Sequence, residues 1–275
     1  MNRTLKRLFR NPLNLIFSVI LILILIIAIF PDFFARYGPY SMDYDAILEP
    51  PSLKHFFGTD QFGRDIFSRC IFGLQKSVII AFSSILLASF IGTIFGLIAG
   101  YYGGGYDLVI MRICDGFFAF PSLILALFIV ALFGSSLVNL IIAIGVVYVP
   151  IFARTVRGAA LSIRESLFVK ASKVIGKSDL KIMLNDVLLN LSSVLIVTFT
   201  TNLSTAFLTE ASLGFLGLSV PPPEPTLGGL VGQGTAFLLS APWITLFPGL
   251  VIAVVVLSLN ILGDGLRDVL DPKNK

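Results

Sequence analysis

Apolar residues arrive along this chain in long blocks, and short intervening stretches carry nearly all the charge. The first block runs from Leu13 to Phe30. At about 1.5 Å per residue it is long enough to cross a hydrocarbon layer of about 30 Å. A second, uncharged block covers Ser77 to Ala99, with Lys76 at its edge placed to reach the interface. Within it Gly92, Gly96 and Gly100 recur every four residues, a bare face that lets another helix approach closely. The third block opens with Asp107, Arg112 and Asp115, and Pro121 predicts a kink inside it. Arg112 and Asp115, three apart, can pair on one helix face. The fourth block, Leu137 to Ala153, is short and interrupted at Pro150. The fifth runs from Val187 to Thr209, and the sixth from about Ile244 to Gly263 with Pro248 and Asn260 inside it.

The stretches between the blocks assign sides. Residues 1–12 hold Arg3, Lys6, Arg7 and Arg10 and no acid, which predicts a cytoplasmic amino terminus. No small-residue cleavage site follows the first block, so 13–30 reads as an uncleaved span. Residues 31–70 then form an irregular extracytoplasmic loop with six acidic and four basic residues. In it Asp60, Arg64 and Asp65 bunch with Gly58, Thr59 and Gly63, as a solvated loop held by ion pairs or as a defined turn. His55, the single histidine, reads as a surface residue. Tyr101 to Gly105 is a tight inner turn. The loop 154–181 carries seven basic residues against two acidic ones. Leu161, Leu167, Phe168, Ala171, Val174 and Ile175 recur there at spacings near three and four, which predicts an amphipathic helix. Such a helix lies on anionic headgroups or docks a cytoplasmic partner. Residues 210–243 lack Lys and Arg and form an outer loop that folds back, and 265–275 ends inside. The expected architecture is all-α and polytopic, with six transmembrane helices, both termini cytoplasmic and a five-helix core over 71–264. Its place is the cell membrane, with the lipid bilayer as its solvent.

Composition narrows the function. The chain is 56% hydrophobic and 13% charged, against roughly 25% charged in soluble domains. Its net charge of +4 is concentrated in a few places, which speaks of topology rather than of nucleic acid. Cys70 and Cys114 fall on opposite sides of the membrane and read as packing residues. One histidine and four methionines do not supply a chain of soft metal ligands. No P-loop, HExxH or GxSxG pattern occurs, and nothing pairs a nucleophile with a base. The middles of the spans carry no ionisable residue, so an external motor is a better energy source than a coupled ion. The fifth block is instead rich in hydroxyls and amides, among them Asn190, Thr198, Thr201, Asn202 and Thr205. These bond back to their own helix or face a wet passage.

Eight segments in order resemble the permease subunits of binding-protein-dependent ABC importers: FGTDQFGRDIFSR (57–69), AGYYGG (99–104), MRICDGFFAFPSL (111–123), ARTVRG (153–158), EASLGFLGL (210–218), LSAPW (239–243), FPGL (247–250) and NILGDGLRDVLDP (260–272). The similarity is closest to the C-type subunit of the dipeptide/oligopeptide/nickel group. It implies a type I importer permease fold, with no catalytic, cofactor or metal site on this chain. It also implies a second homologous permease, two cytoplasmic ATPases that consume ATP with Mg, and an extracytoplasmic binding protein that delivers substrate. The central loop resembles the family's coupling motif. Lys170-Ala171-Ser172 stands where Glu-Ala-Ala is usual, Gly176 keeps its place and Leu189 replaces a proline. The resemblance thus implies ATPase coupling through Glu165, Lys170, Ala171, Ser172, Lys173, Gly176 and Asp179. The implied cargo is a di- or oligopeptide, with nickel or a metal chelate as the alternative. A membrane-embedded enzyme and a lipid-bound scaffold are the competing classes.

Overall fold

The computed structural model describes residues 9–270, and every regular element among them is helical. Pro12–Ile29 (α1) starts at Asn11, whose side chain accepts from Leu13 N, and proline occupies its first turn. A 37-residue helix follows, Ile66–Tyr102 (α2), capped by Asp65 and ended by Gly103. Gly104–Phe118 (α3) and Ser122–Phe133 (α4) meet at an angle of 88° at Pro121, so the expected kink is a full break. Leu137–Arg164 (α5), Ser192–Phe215 (α7) and Trp243–Leu270 (α9) are the remaining long helices. Two eight-residue helices lie between them, Leu167–Val174 (α6) and Leu227–Gly234 (α8). Five of the helices are long and apolar enough to cross a membrane, and six spans result when the bent pair α3–α4 counts as one.

The seam between α2 and α5 organises the fold. A Cβ on Gly92 would lie 2.5 Å from that of Phe152, and one on Gly96 would lie 2.6 Å from the Ala153 carbonyl. One on Gly100 would lie 2.7 Å from Ala160 Cβ. The missing side chains let the two backbones touch along three turns, where dispersion supplies the attraction that water cannot supply in lipid. This contact also explains why α5 passes through Pro150, where the sequence predicts an interruption. Proline removes one backbone bond, but Val149, Phe152 and Ala153 on both sides of it are pressed onto the glycine stripe.

Three apolar clusters surround the seam. One joins α1, α2, α8 and α9, including Ile24, Leu74, Leu227 and Val255. A second joins α2, α4, α5 and α7 through Ile85, Val130, Ile144 and Leu213. The third, at the end of α2, gathers Leu97, Tyr101, Val156, Val169, Ile182 and Val187. Cys70 and Cys114 are both free and buried, in keeping with packing roles.

Gly96→Leu should overpack the seam. The expected loss is roughly 1–3 kcal/mol or more of stability, read as a lower midpoint in thermal unfolding of the detergent-solubilised protein. Gly116→Leu, at a helix position with open space around it, should leave that midpoint nearly unchanged.

Candidate functional site

Two charged structures sit at the two ends of α2. At its start, Asp65 accepts from Ser68 N at 2.7 Å, and its other oxygen lies 3.0 Å from His55 Nδ1. Asp60 accepts from the backbone of Phe62 and Arg64 at 2.9 Å each, and from Arg64 Nε at 2.6 Å. Arg69 stands 3.7 Å from the same carboxylate and donates to the Pro39 carbonyl. Thr59 bridges the Ala46 carbonyl and the Glu49 amide. Gly63 has φ +69, and a Cβ there would fall 1.8 Å from the Asp43 carbonyl. The segment is therefore a defined turn with buried ion pairs. His55 is no surface residue: it is 2% exposed because Asp65 and the Tyr37 ring enclose it. Trp243 Nε1 donates to the Thr59 carbonyl at 3.1 Å, and Phe57 stacks on Phe247 at 4.1 Å, which clasps this end of α2 to α9.

At the other end lies the basic segment. Its first third continues α5, and two of its arginines point back to α3. Arg154 pairs with Asp115 at 2.6 Å and covers the Phe118 ring, and Arg157 chelates Asp107. The expected Arg112–Asp115 pair is thus replaced by a bond between helices, because α5 holds Arg154 over the acid. The helix α6 follows. Eight residues do not make a stable isolated helix, so burial of Val169 in the third cluster fixes it. Its end is a Schellman turn: Gly176 N donates to Lys173 O, Lys177 N donates to Ser172 O, and Gly176 has φ +78. Lys177 Nζ holds Asp186 at 2.6 and 2.8 Å on the wide turn Ile182–Leu188. Lys177, with Ser172 also donating, keeps the Asp186 carboxyl below its ordinary value. Lys170 does the same for Glu165. Asp179 accepts from the Tyr101 hydroxyl at 2.6 Å. Facing outward are Leu167 at 86%, Val174 at 87% and Ile175 at 80% exposure, with Lys170, Ala171 and Lys173 among them.

The hydroxyl-rich helix α7 resolves into two sets. Thr198, Thr201 and Asn202 line a cleft of about 440 Å³ with Thr155, Ser193 and Arg267. Asn190 and Thr205 are exposed outside that lining. All five bond back to carbonyls of their own segment, as Thr198 Oγ1 does to Val194 at 2.8 Å. Ser204 reaches another helix, at Asn260. Glu210 corrects the expected end of the fifth block at Thr209. It lies inside α7, fully buried, and accepts from Ser219 Oγ at 3.1 Å. The apolar pattern through Ala211, Leu213 and Phe215 was the available signal that the helix runs past Thr209.

Residues 92–275 match the family described as binding-protein-dependent transport system inner membrane component. The chain belongs to this family. Residues 1–51 also match the N-terminal transmembrane domain of oligopeptide transport permease C. This permease is 42% identical over 271 residues to the glutathione transport system permease protein GsiD of Escherichia coli O6:K15:H31 (strain 536 / UPEC). It is 44% identical over 270 residues to the dipeptide transport system permease protein DppC of Alkalihalophilus pseudofirmus. Each comparison covers 98% of this chain and 89% of the relative. A chain of the MetNI methionine ABC transporter in an inward-facing conformation shares the fold, with a TM-score of 0.58 and 22% identity. That match covers 72% of this permease and 94% of the other chain. The permease is a multi-pass inner-membrane transport subunit of the ABC importer type and is not an enzyme.

Asp60→Ala should strand Arg64 and Arg69 without a counter-charge and cost roughly 3 kcal/mol, seen as a lower unfolding midpoint. The Lys177–Asp186 pair sets a pH dependence with a definite sign. Its contribution is complete above the unfolded carboxyl value of about 3.9 and disappears as pH falls through the lower folded value. Protease nicking of 175–181 should therefore stay constant from neutral pH down to about 5 and rise only below about 4.

Proposed function

We propose that this permease forms half of the passage of a peptide importer and is driven by cytoplasmic ATPases that dock on α6. The observation that carries the reading is the ridge of Leu167, Val174 and Ile175. Three large apolar side chains stand almost fully exposed on a short helix whose opposite face is locked into the body. Basic groups, Lys170 and Lys173, flank the ridge, which suits a groove with an acidic rim. Glu165, Lys170, Ala171, Ser172, Lys173, Gly176 and Asp179 then act in two ways. Lys170 and Ala171 face the partner, while Lys173 over the Tyr101 ring, the Gly176 turn and Asp179 fix the helix to the body. Side follows from charge: the basic segment lies in the cytoplasm with both termini, and the 55–69 clasp lies outside.

Peptide cargo fits both the relatives' names and the cleft beside α7. Thr155, Thr198, Thr201 and Asn202 offer neutral oxygens, chiefly as acceptors because their donors return to their own helices, beside one arginine, Arg267; this lining suits a peptide backbone. Selection among peptides then falls to an extracytoplasmic binding protein. A second permease would close the open side of the cleft, and the ATPases would hydrolyse ATP with Mg.

Ile175→Asp, in the chain expressed with its transporter partners, should abolish co-purification of the ATPases and uptake of labelled dipeptide. The variant should still fold and insert, since residue 175 is 80% exposed. Full retention of the ATPases would overturn the docking reading and favour a helix lying on lipid headgroups.

A further inference from the structure

The docking reading leaves open how a push on α6 reaches the outer face, and one residue answers it. Tyr101, at the end of α2, is 3% exposed and receives three groups from the coupling region. Arg164 Nη1 donates to its carbonyl at 3.0 Å. Its hydroxyl donates to Asp179 Oδ1 at 2.6 Å. The Lys173 ammonium sits 4.9 Å from its ring centroid. These groups come from just before α6, from α6 itself and from just after it. The whole segment is therefore pinned at one joint. Val169 and Ile182, from the same segment, pack in the same cluster as the Tyr101 ring.

Beyond that joint, α2 is one unbroken helix of 37 residues without proline, about 55 Å long. Its far end is the clasp of Asp60, His55, Arg64 and Asp65, which holds Trp243 and Phe247 of α9. Glu224 of the 216–226 outer loop also pairs with Lys76 of α2, at 2.6 Å. A rod fixed at both ends passes on displacement as rigid-body motion.

We infer that Tyr101 is the positioning residue that couples the ATPase-docking helix to α2, and through α2 to the outer clasp. Tyr101 touches neither cargo nor nucleotide. It acts by holding Asp179, Lys173 and Arg164 to one rigid element, so that α6 cannot move without it. The phenol–carboxylate bond is the link that the conservative variant removes, while the ring remains for Lys173 and the core.

This inference rests on the proposed docking of ATPases at α6. The test uses the complete transporter in proteoliposomes with its binding protein, and compares wild type, Tyr101→Phe, Asp179→Ala and the double variant. Labelled peptide moved per ATP hydrolysed is the readout, with co-purification of the ATPases scored in parallel. Tyr101→Phe should keep the ATPases bound and lower transport per ATP roughly tenfold, the scale of one lost hydrogen bond to a carboxylate. Asp179→Ala should fall as far, and the double variant no further, because each change removes the same hydroxyl–carboxylate bond. Wild-type transport per ATP in Tyr101→Phe, or additive losses in the double variant, would overturn the joint. Loss of the ATPases in Tyr101→Phe would also overturn it, showing that Tyr101 serves docking alone. Failure of the wild-type complex to retain ATPases would instead refute the docking reading.

Discussion

Contact between α2 and α5 is the constraint from which the remaining structure follows. In water, helices associate because burial removes apolar surface from solvent. In lipid that gain is absent, and close backbone approach has to replace it. Gly92, Gly96 and Gly100 permit this approach, and Phe152, Ala153, Val156 and Ala160 fill the space they leave. Once α2 is fixed, the other elements find places against it. The helices α1 and α9 pack on its first half, while α7 and α4 complete the second cluster. A short segment with little helix stability of its own, α6, acquires a fixed seat at its inner end.

The two ends of α2 use charge differently, and the difference matches what each end has to do. The clasp at residues 55–69 buries its ions. Asp60 and Arg64 are almost wholly enclosed and Asp60 accepts three hydrogen bonds, so separating them leaves an uncompensated charge. The other end leaves its ions part-exposed. Lys177 and Asp186 retain contact with solvent, and Glu165 and Lys170 retain more. Pairs of that kind contribute little net energy and re-form readily. One end of α2 is thus held rigidly and the other adjustably, as the proposed transmission of a push along α2 requires.

Much of the membrane architecture was legible because hydrophobic blocks and basic stretches are dictated by lipid itself. The glycine stripe named the close contact, though not its partner helix. What stayed hidden depends on side chains meeting across long stretches of chain. Pro150 promised a break that packing suppressed, and Asp115 took Arg154, 39 residues away, in place of Arg112. His55 looked like a loop residue because nothing in the chain shows that Asp65 and Tyr37 will enclose it. A carboxylate ordinarily marks the end of an apolar block, so the sequence alone places Glu210 in a loop. Here Ser219 accommodates it inside α7. Within the basic segment 154–181 the apolar spacing and Gly176 can be read directly, but the contacts of Tyr101 cannot. They appear only when residues 164, 173 and 179 are brought together around it.

The break between α3 and α4 has a consequence for how this assembly moves. Bent by 88°, the pair cannot act as a strut across the membrane. Its first half is instead fastened to α5 by Asp107–Arg157 and Asp115–Arg154, both near the inner end of the seam. The second half packs separately on α5 and α7 through Ala126 and Val130. Both halves of the broken pair are therefore tied to α5, the first by ion pairs and the second by apolar packing that also reaches α7. The cleft lined by Thr155 of α5 and by Thr198, Thr201 and Asn202 of α7 lies between these same two helices. A rotation of α2–α5 relative to α7 would carry the first half along, change the width of that cleft and shift the contact of the second half with α7.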